Sequence, residues 1–105
     1  MNILFDDGAL KELYINFQTD DKKYKTLSKD IVKRYVKVVN YLRVATRIED
    51  LFKVKSLNYE KKKGTLKDTE AVWISKKYRL LFKSSQNESG IVVNILLLEI
   101  SKHYE

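Results

Sequence analysis

The chain has no cysteine, no proline, three glycines and one histidine in 105 residues. Without cysteine there is neither a disulfide framework nor a thiolate metal site. One histidine cannot build a histidine-based metal cluster. Phosphate-cradling loops and dinucleotide fingerprints both need several glycines in close order, and here the glycines are scattered. No metal and no small-molecule cofactor is therefore expected. The lack of proline and of Gly/Ser-rich tracts leaves no linker and no low-complexity tail. The longest apolar run, Ile91 to Leu98, is interrupted by Asn94 and is far too short to span a bilayer. The opening Met1-Asn2-Ile3-Leu4-Phe5-Asp6-Asp7 lacks the basic start and long apolar stretch of a signal peptide. The expectation is one domain over residues 1–105, cytoplasmic, reduced and without a membrane partner.

What is present is positive charge, and it is concentrated. Residues Lys53 to Lys83 hold nine lysines and one arginine against Glu60, Asp68 and Glu70, a net +7, which equals the formal charge of the whole chain. Charge gathered in a third of a small chain reads as the footprint of a polyanion. The flat side chains of Tyr59, Trp73, Tyr78 and Phe82 interleave with it and are of the type that stacks on bases. The alternative is a solvated lysine-rich surface. Grouping favours the polyanion: Lys61-Lys62-Lys63-Gly64, then Lys67, then Lys76-Lys77-Tyr78-Arg79.

Periodicity divides the chain in two. Asn2 to Phe5 reads as a short strand, followed by Asp6 and Asp7 as helix caps. Leu10, Leu13, Tyr14 and Phe17 recur at i, i+3, i+4, i+7 and predict a helix with one buried stripe. A polar loop from Gln18 to Lys25 precedes Ser28, an N-cap, with Asp30 in the first turn. Ile31, Tyr35, Val38, Leu42 and Ala45 mark the stripe of a longer second helix. Thr46-Arg47-Ile48-Glu49 has the form of a capping box ahead of a last turn through Leu51 and Phe52. Beyond Phe52 the period becomes two. Val54, Ala71–Ser75, Tyr78–Lys83 and Ile91–Leu98 read as strands, with Ser84 to Gly90 as a hairpin loop. Alternation puts Tyr78, Leu80 and Phe82 on one face, and Arg79, Leu81 and Lys83 on the other. The class is α+β: an N-terminal two-helix hairpin packed on a small twisted, mainly antiparallel sheet.

Four segments, in order, carry a family resemblance: Ala45 to Leu51, Lys63-Gly64, Lys76-Lys77-Tyr78-Arg79-Leu80-Leu81-Phe82, and Ile100 to Tyr104. The chain resembles toxins of the RelE/ParE superfamily, and within it the HigB branch of type II toxin–antitoxin systems. The resemblance covers most of the chain from Val38 onward. It implies a helix pair on a small sheet whose basic face binds RNA, metal-independent cleavage of messenger RNA on the ribosome, and a helix-turn-helix antitoxin partner, HigA-like. It also implies site positions: Arg79 in the aromatic-Arg-Leu strand, Lys63 before Gly64, His103 near the end, and Tyr104 beside it.

The chemistry is judged on the residues themselves. Cleaving RNA without metal requires the 2′-hydroxyl deprotonated, the phosphorane charge neutralised and the 5′-oxygen protonated. Arg79 suits the middle task, since a guanidinium grips phosphate bidentately and stays charged. Its alternative role is an ion pair with a helix glutamate. His103 is the one side chain whose ordinary pKa lies near neutrality, so it is the natural proton donor or acceptor. Tyr104 stacks on a base, donates its phenol proton or covers the sheet edge. Glu60 acts as base or pairs with a neighbouring lysine. Lys61, Lys62, Lys63 and Lys67 are expected at phosphates, with Gly64 allowing close approach. Lys76, Lys77 and Lys83 join them as RNA-binding positions. Lys33, Arg34 and Lys37 face solvent, or add ribosomal RNA contacts. Trp73 reads as core or antitoxin interface. Two other readings compete: a ParE-like poison of DNA gyrase, and a non-catalytic RNA-binding remnant.

Overall fold

The computed structural model describes residues 2–62 and 68–102. Strand β1, Asn2–Phe5, leads the chain, followed by α1, Gly8–Asn16, and α2, Lys29–Val44. A short α3, Glu49–Phe52, and a 3-10 turn, Lys55–Leu57, lead into β2, Glu60–Lys61, β3, Glu70–Trp73, β4, Tyr78–Gln86, and β5, Val92–Lys102. The strands form one sheet in the order β1-β5-β4-β3-β2. β1 runs parallel to β5, and the other neighbours are antiparallel.

The helix starts follow the caps in the sequence. Asp7 Oδ1 accepts from Ala9 N–H (2.8 Å) and Ser28 Oγ from Ile31 N–H (3.2 Å), each satisfying a first-turn donor. α2 buries Val32, Tyr35, Val38, Val39 and Leu42, a wider stripe than Ile31 to Ala45 predicted, with Ile31 and Ala45 half-buried. The expected helical stripe ends early in α1. Phe17 is the left-handed C-cap (φ 61°), which turns its ring outward to 53% exposure.

The helix pair is neither N-terminal nor a hairpin. β1 precedes it, and the segment between the helices runs back along α1. Thr19 Oγ1 donates to Glu12 (3.0 Å), and Lys23 Nζ bonds Asp7 (2.8 Å) at the start of α1. α2 therefore begins beside the beginning of α1. Contacts then advance in the same sense along both helices: Tyr35 OH donates to the Leu10 carbonyl (2.8 Å), Tyr14 OH donates to Asn40 Oδ1 (2.6 Å), and Arg43 donates to Tyr14 OH (2.8 Å). A connection of this length can return, which a hairpin loop cannot.

The capping box is also replaced. Ile48 is the N-cap of α3 and makes no side-chain cap bond; Asp50 Oδ2 reaches back to accept from Thr46 N–H (2.9 Å) and Arg47 N–H (3.0 Å). A carboxylate one residue further on is geometrically placed to hold both donors at once. Val54 lies in no strand; it opens the 3-10 turn, and pairing begins at β2. Ser84, Ser85 and Gln86 extend β4 against Ile95, Asn94 and Val92, so the hairpin loop shrinks to residues 87–91. Asn87 closes it, its Oδ1 accepting from Ser89 and Ile91 N–H (3.0 Å each), and Gly90 takes φ +80° where the Arg47 guanidinium crowds any added Cβ. β5 runs beyond Leu98 to Lys102, with Val93 and Leu98 as extra, bulged residues opposite β4.

The core lies between the helices and one face of the sheet. Leu10, Leu13, Tyr35, Val39 and Leu42 meet Val72, Leu80, Phe82, Ile95 and Leu97. Fully burying one such side chain contributes about 1.5–3 kcal/mol. Alternation then assigns the other sheet face: Ala71, Trp73, Arg79, Leu81 and Lys83 point away from the helices.

Candidate nucleic-acid interface

Register places the charged candidates on that far face. Glu60 pairs with Ala71, Ala71 with Leu81, and Leu81 with Glu99, forming one row across four strands. Trp73, Arg79 and Ser101 form the next row. Lys62 Nζ bonds Glu60 Oε1 (2.7 Å), so the second reading of Glu60, pairing with a lysine, is what the structure shows. Lys61 alternates to the helix side and lines a separate hollow with Tyr59 and Glu70. Lys76 and Lys77 sit at the β3–β4 turn, and Lys83 is exposed on β4. Lys63, Lys67, His103 and Tyr104 lie outside the described residues; β5 runs up to Lys102, the residue before His103.

Arg79 is buried, at 4% exposure, although it lies on the face away from the core. Its Nη1 donates to the carbonyls of Ser75 and Lys76 (2.9 Å each), and its guanidinium carbon stands 4.1 Å from the centre of the Trp73 ring, its cross-strand partner. No described ion pair joins it to a helix glutamate. The head leans toward the turn. Glu60 lies two strands over and two residues along, roughly 12 Å between Cα atoms from standard strand spacings. Arg79 and Glu60 are thus on one face without touching.

Glu99 is nearer, and the sequence reading passed over it. Its Cα is diagonal to that of Arg79 across the β4–β5 pair, about 7–8 Å for this geometry. The signal was in Glu99 and Ser101 flanking the core residue Ile100, hidden because the Leu98 bulge puts Leu97, two residues before Glu99, on the core face. Glu70 was missed as well. It is 5% exposed and on the core face, and it accepts from Tyr59 OH (2.6 Å), Ser84 N–H (2.9 Å) and Ser84 Oγ (2.6 Å). Burial, then Glu70 itself, pushes the Tyr59 phenol well above its ordinary value. Phe82 is inside the core and cannot stack on a base, while Tyr59 and Tyr78 are half-buried against it. Trp73 is half-buried and lines a cleft.

That cleft, about 570 Å³, opens between α2, the 3-10 turn and the β3–β4 turn. Arg34, Lys37, Lys76, Tyr41 and Asn58 are among its walls. Among the described residues, no group of His, Cys, Asp and Glu side chains could hold a metal ion, and no helix is long and apolar enough to cross a membrane.

The fold of this chain, a helix pair on a five-stranded mixed sheet, recurs among solved structures. The YoeB/ParE toxin from Agrobacterium tumefaciens matches with a TM-score of 0.59 over 99% of this chain and 100% of that chain, at 13% identity. The YoeB-YefM complex from Staphylococcus aureus gives 0.56 at 18% identity, and a heterotetrameric YoeB-YefM toxin-antitoxin complex from the same organism gives 0.50 at 19%, each over 99% of this chain and 98% of that chain. At these identities the likeness is one of fold. No family model and no curated protein matches the sequence.

Proposed function

We propose that this chain is the toxin of a type II toxin–antitoxin system and acts as a metal-independent, ribosome-dependent messenger-RNA endoribonuclease. The observation that carries the reading is Arg79 on the sheet face away from the core, with Glu99 in the adjacent strand, Glu60 two strands over, and Lys62 and Lys83 on the same face. A guanidinium there neutralises charge on the phosphorane, and a carboxylate or His103 takes the 2′-hydroxyl proton so that the 2′-oxygen attacks phosphorus. His103 or Tyr104 returns a proton to the departing 5′-oxygen. Lys62, Lys63, Lys67, Lys76, Lys77 and Lys83 supply phosphate contacts, whereas Lys61 faces the helix side and is left out of the site. The partner is an antitoxin that covers the basic surface with an acidic segment. The resemblance in sequence pointed to a HigB-like toxin and a HigA-like partner, whereas the three structural neighbours are YoeB and ParE proteins, so the proposal is drawn for the superfamily and not for one branch.

The test is induction of the chain in growing cells, followed by cleavage on programmed ribosomes in vitro. Growth arrest with cut message supports the proposal, and co-expression of the adjacent gene relieves the arrest. Intact message with accumulated cleaved gyrase–DNA complexes overturns it in favour of the gyrase poison. Ribosome binding without cleavage or arrest identifies a non-catalytic remnant.

A further inference from the structure

The cleft behind Trp73 has the composition of a nucleotide site. Arg34, Lys37 and Tyr41 stand at i, i+3 and i+7 of α2, so one helix face supplies two cations and an aromatic ring. Lys76 contributes a third cation from the β3–β4 turn, and Asn58, held in the left-handed conformation (φ 44°), brings an amide to the rim. Among the described residues, Lys37 and Lys76 form no ion pair, whereas Arg34 bonds Asp30 (3.1 Å). The volume falls within the range of small-ligand sites. Trp73 belongs to two environments, since the residue lines the cleft and its ring also carries the Arg79 guanidinium at 4.1 Å.

We infer that this cleft holds one or two nucleotides of single-stranded RNA flanking the phosphate presented to Arg79, with Lys37 and Lys76 at phosphates and the Trp73 edge and Tyr41 against a base. This deepens the ribonuclease reading, on which the choice of RNA as partner rests. Cations beside aromatic rings suit a strand that carries phosphates and flat bases together. An acidic peptide satisfies the cations alone and leaves the rings without a matching partner.

Trp73 is the sole tryptophan of the chain, so indole emission reports on this cleft without labelling. The full chain is titrated with a short oligouridylate, and tryptophan emission and RNA anisotropy are read together. Emission is expected to change along the same isotherm as anisotropy. Single strands release about 0.7 counterion per phosphate contact, so Lys37→Gln/Lys76→Gln lowers the salt slope by about 1.4 and weakens binding roughly 25-fold at about 0.1 M salt. Both lysines are exposed, and the variant should melt as the parent does. RNA binding with unmoved emission, or an unchanged double variant, overturns the inference. So does polyglutamate shifting emission where oligouridylate does not, which makes the cleft a protein site. A chain that cuts ribosomal message without any Trp73 response loses only the cleft; one that responds but cuts nothing loses only the nuclease.

Discussion

Replacing Arg79 separates what the residue does for the fold from what it does for RNA. Arg79→Ala removes two 2.9 Å bonds from a cation to the Ser75 and Lys76 carbonyls and a stack on Trp73. Bonds to charged groups contribute about 1.5–3 kcal/mol each, and the stack about 0.5–2 kcal/mol. Ser75 is half-buried and Lys76 exposed, so water recovers part of this at the freed carbonyls. The expected net loss is about 2–4 kcal/mol, as for other broken buried networks. In a chain of this size that lowers Tm by roughly 10–30 °C. Arg79→Lys keeps the charge, but an ammonium cannot bond both carbonyls while lying flat on the indole, so an intermediate loss is expected. Chemical denaturation measures the first effect. Single-turnover cleavage, run where each variant is fully folded, measures the second: losing a charge aimed at the phosphorane slows the step about a hundred- to a thousandfold. An Arg79→Ala chain within about 0.5 kcal/mol of the parent, the scatter of ordinary surface substitutions, refutes the structural reasoning. A folded variant that cleaves at the parent rate refutes the clamp.

Glu70→Ala strands the half-buried Ser84 N–H and frees Tyr59, for an expected loss of about 2–4 kcal/mol, while Glu70→Gln retains an acceptor and costs about half as much; urea melts of the two variants check the order. The Lys23 ammonium and the Ala9 N–H hold the Asp7 carboxyl below its ordinary 3.8, and the Arg47 and Thr46 N–H groups lower Asp50 likewise. Both acids therefore add stability that is complete above about pH 5 and lost as pH falls through their folded values. Asp7→Asn and Asp50→Asn should flatten the acid limb of a stability–pH curve, and an unchanged limb counts against these bonds. His103→Ala should slow cleavage about a hundred- to ten-thousandfold and flatten the pH–rate profile between about pH 5 and 8; an unaltered profile moves the proton chemistry to Tyr104, Glu60, Glu99 or a lysine.

Much of the architecture was legible because local signals were undivided. Ser28 with Asp30, and the apolar spacing from Tyr35 to Leu42, define α2 by themselves. Failures occurred where two groups competed for one task. Asp50 outcompeted Glu49 for the donors at residues 46 and 47, and the connection between α1 and α2 took a return path that periodicity cannot encode. At the site, the register of Arg79 was legible from alternation, but its burial was not. The carbonyls that hold it belong to a turn marked only by Ser75, whose Oγ accepts from the Lys77 and Tyr78 N–H groups, and a single serine does not foretell where a guanidinium folds. Glu70 was obscured by its lysine-rich surroundings. Its spacing from Val72 placed it inward all along.

The parallel pairing of β1 with β5 has a kinetic side. Asn2 lies opposite Asn94, so the first and last described strands close on each other across 92 residues of chain. β5 also occupies an interior place in the sheet, flanked by β1 and β4. During synthesis, α1 and α2 emerge long before the strand that completes the surface they cover. Late, distant pairing of this kind slows folding. Until β5 arrives, the row from Arg79 to Ser101 does not exist, and neither does the face on which the proposed chemistry depends.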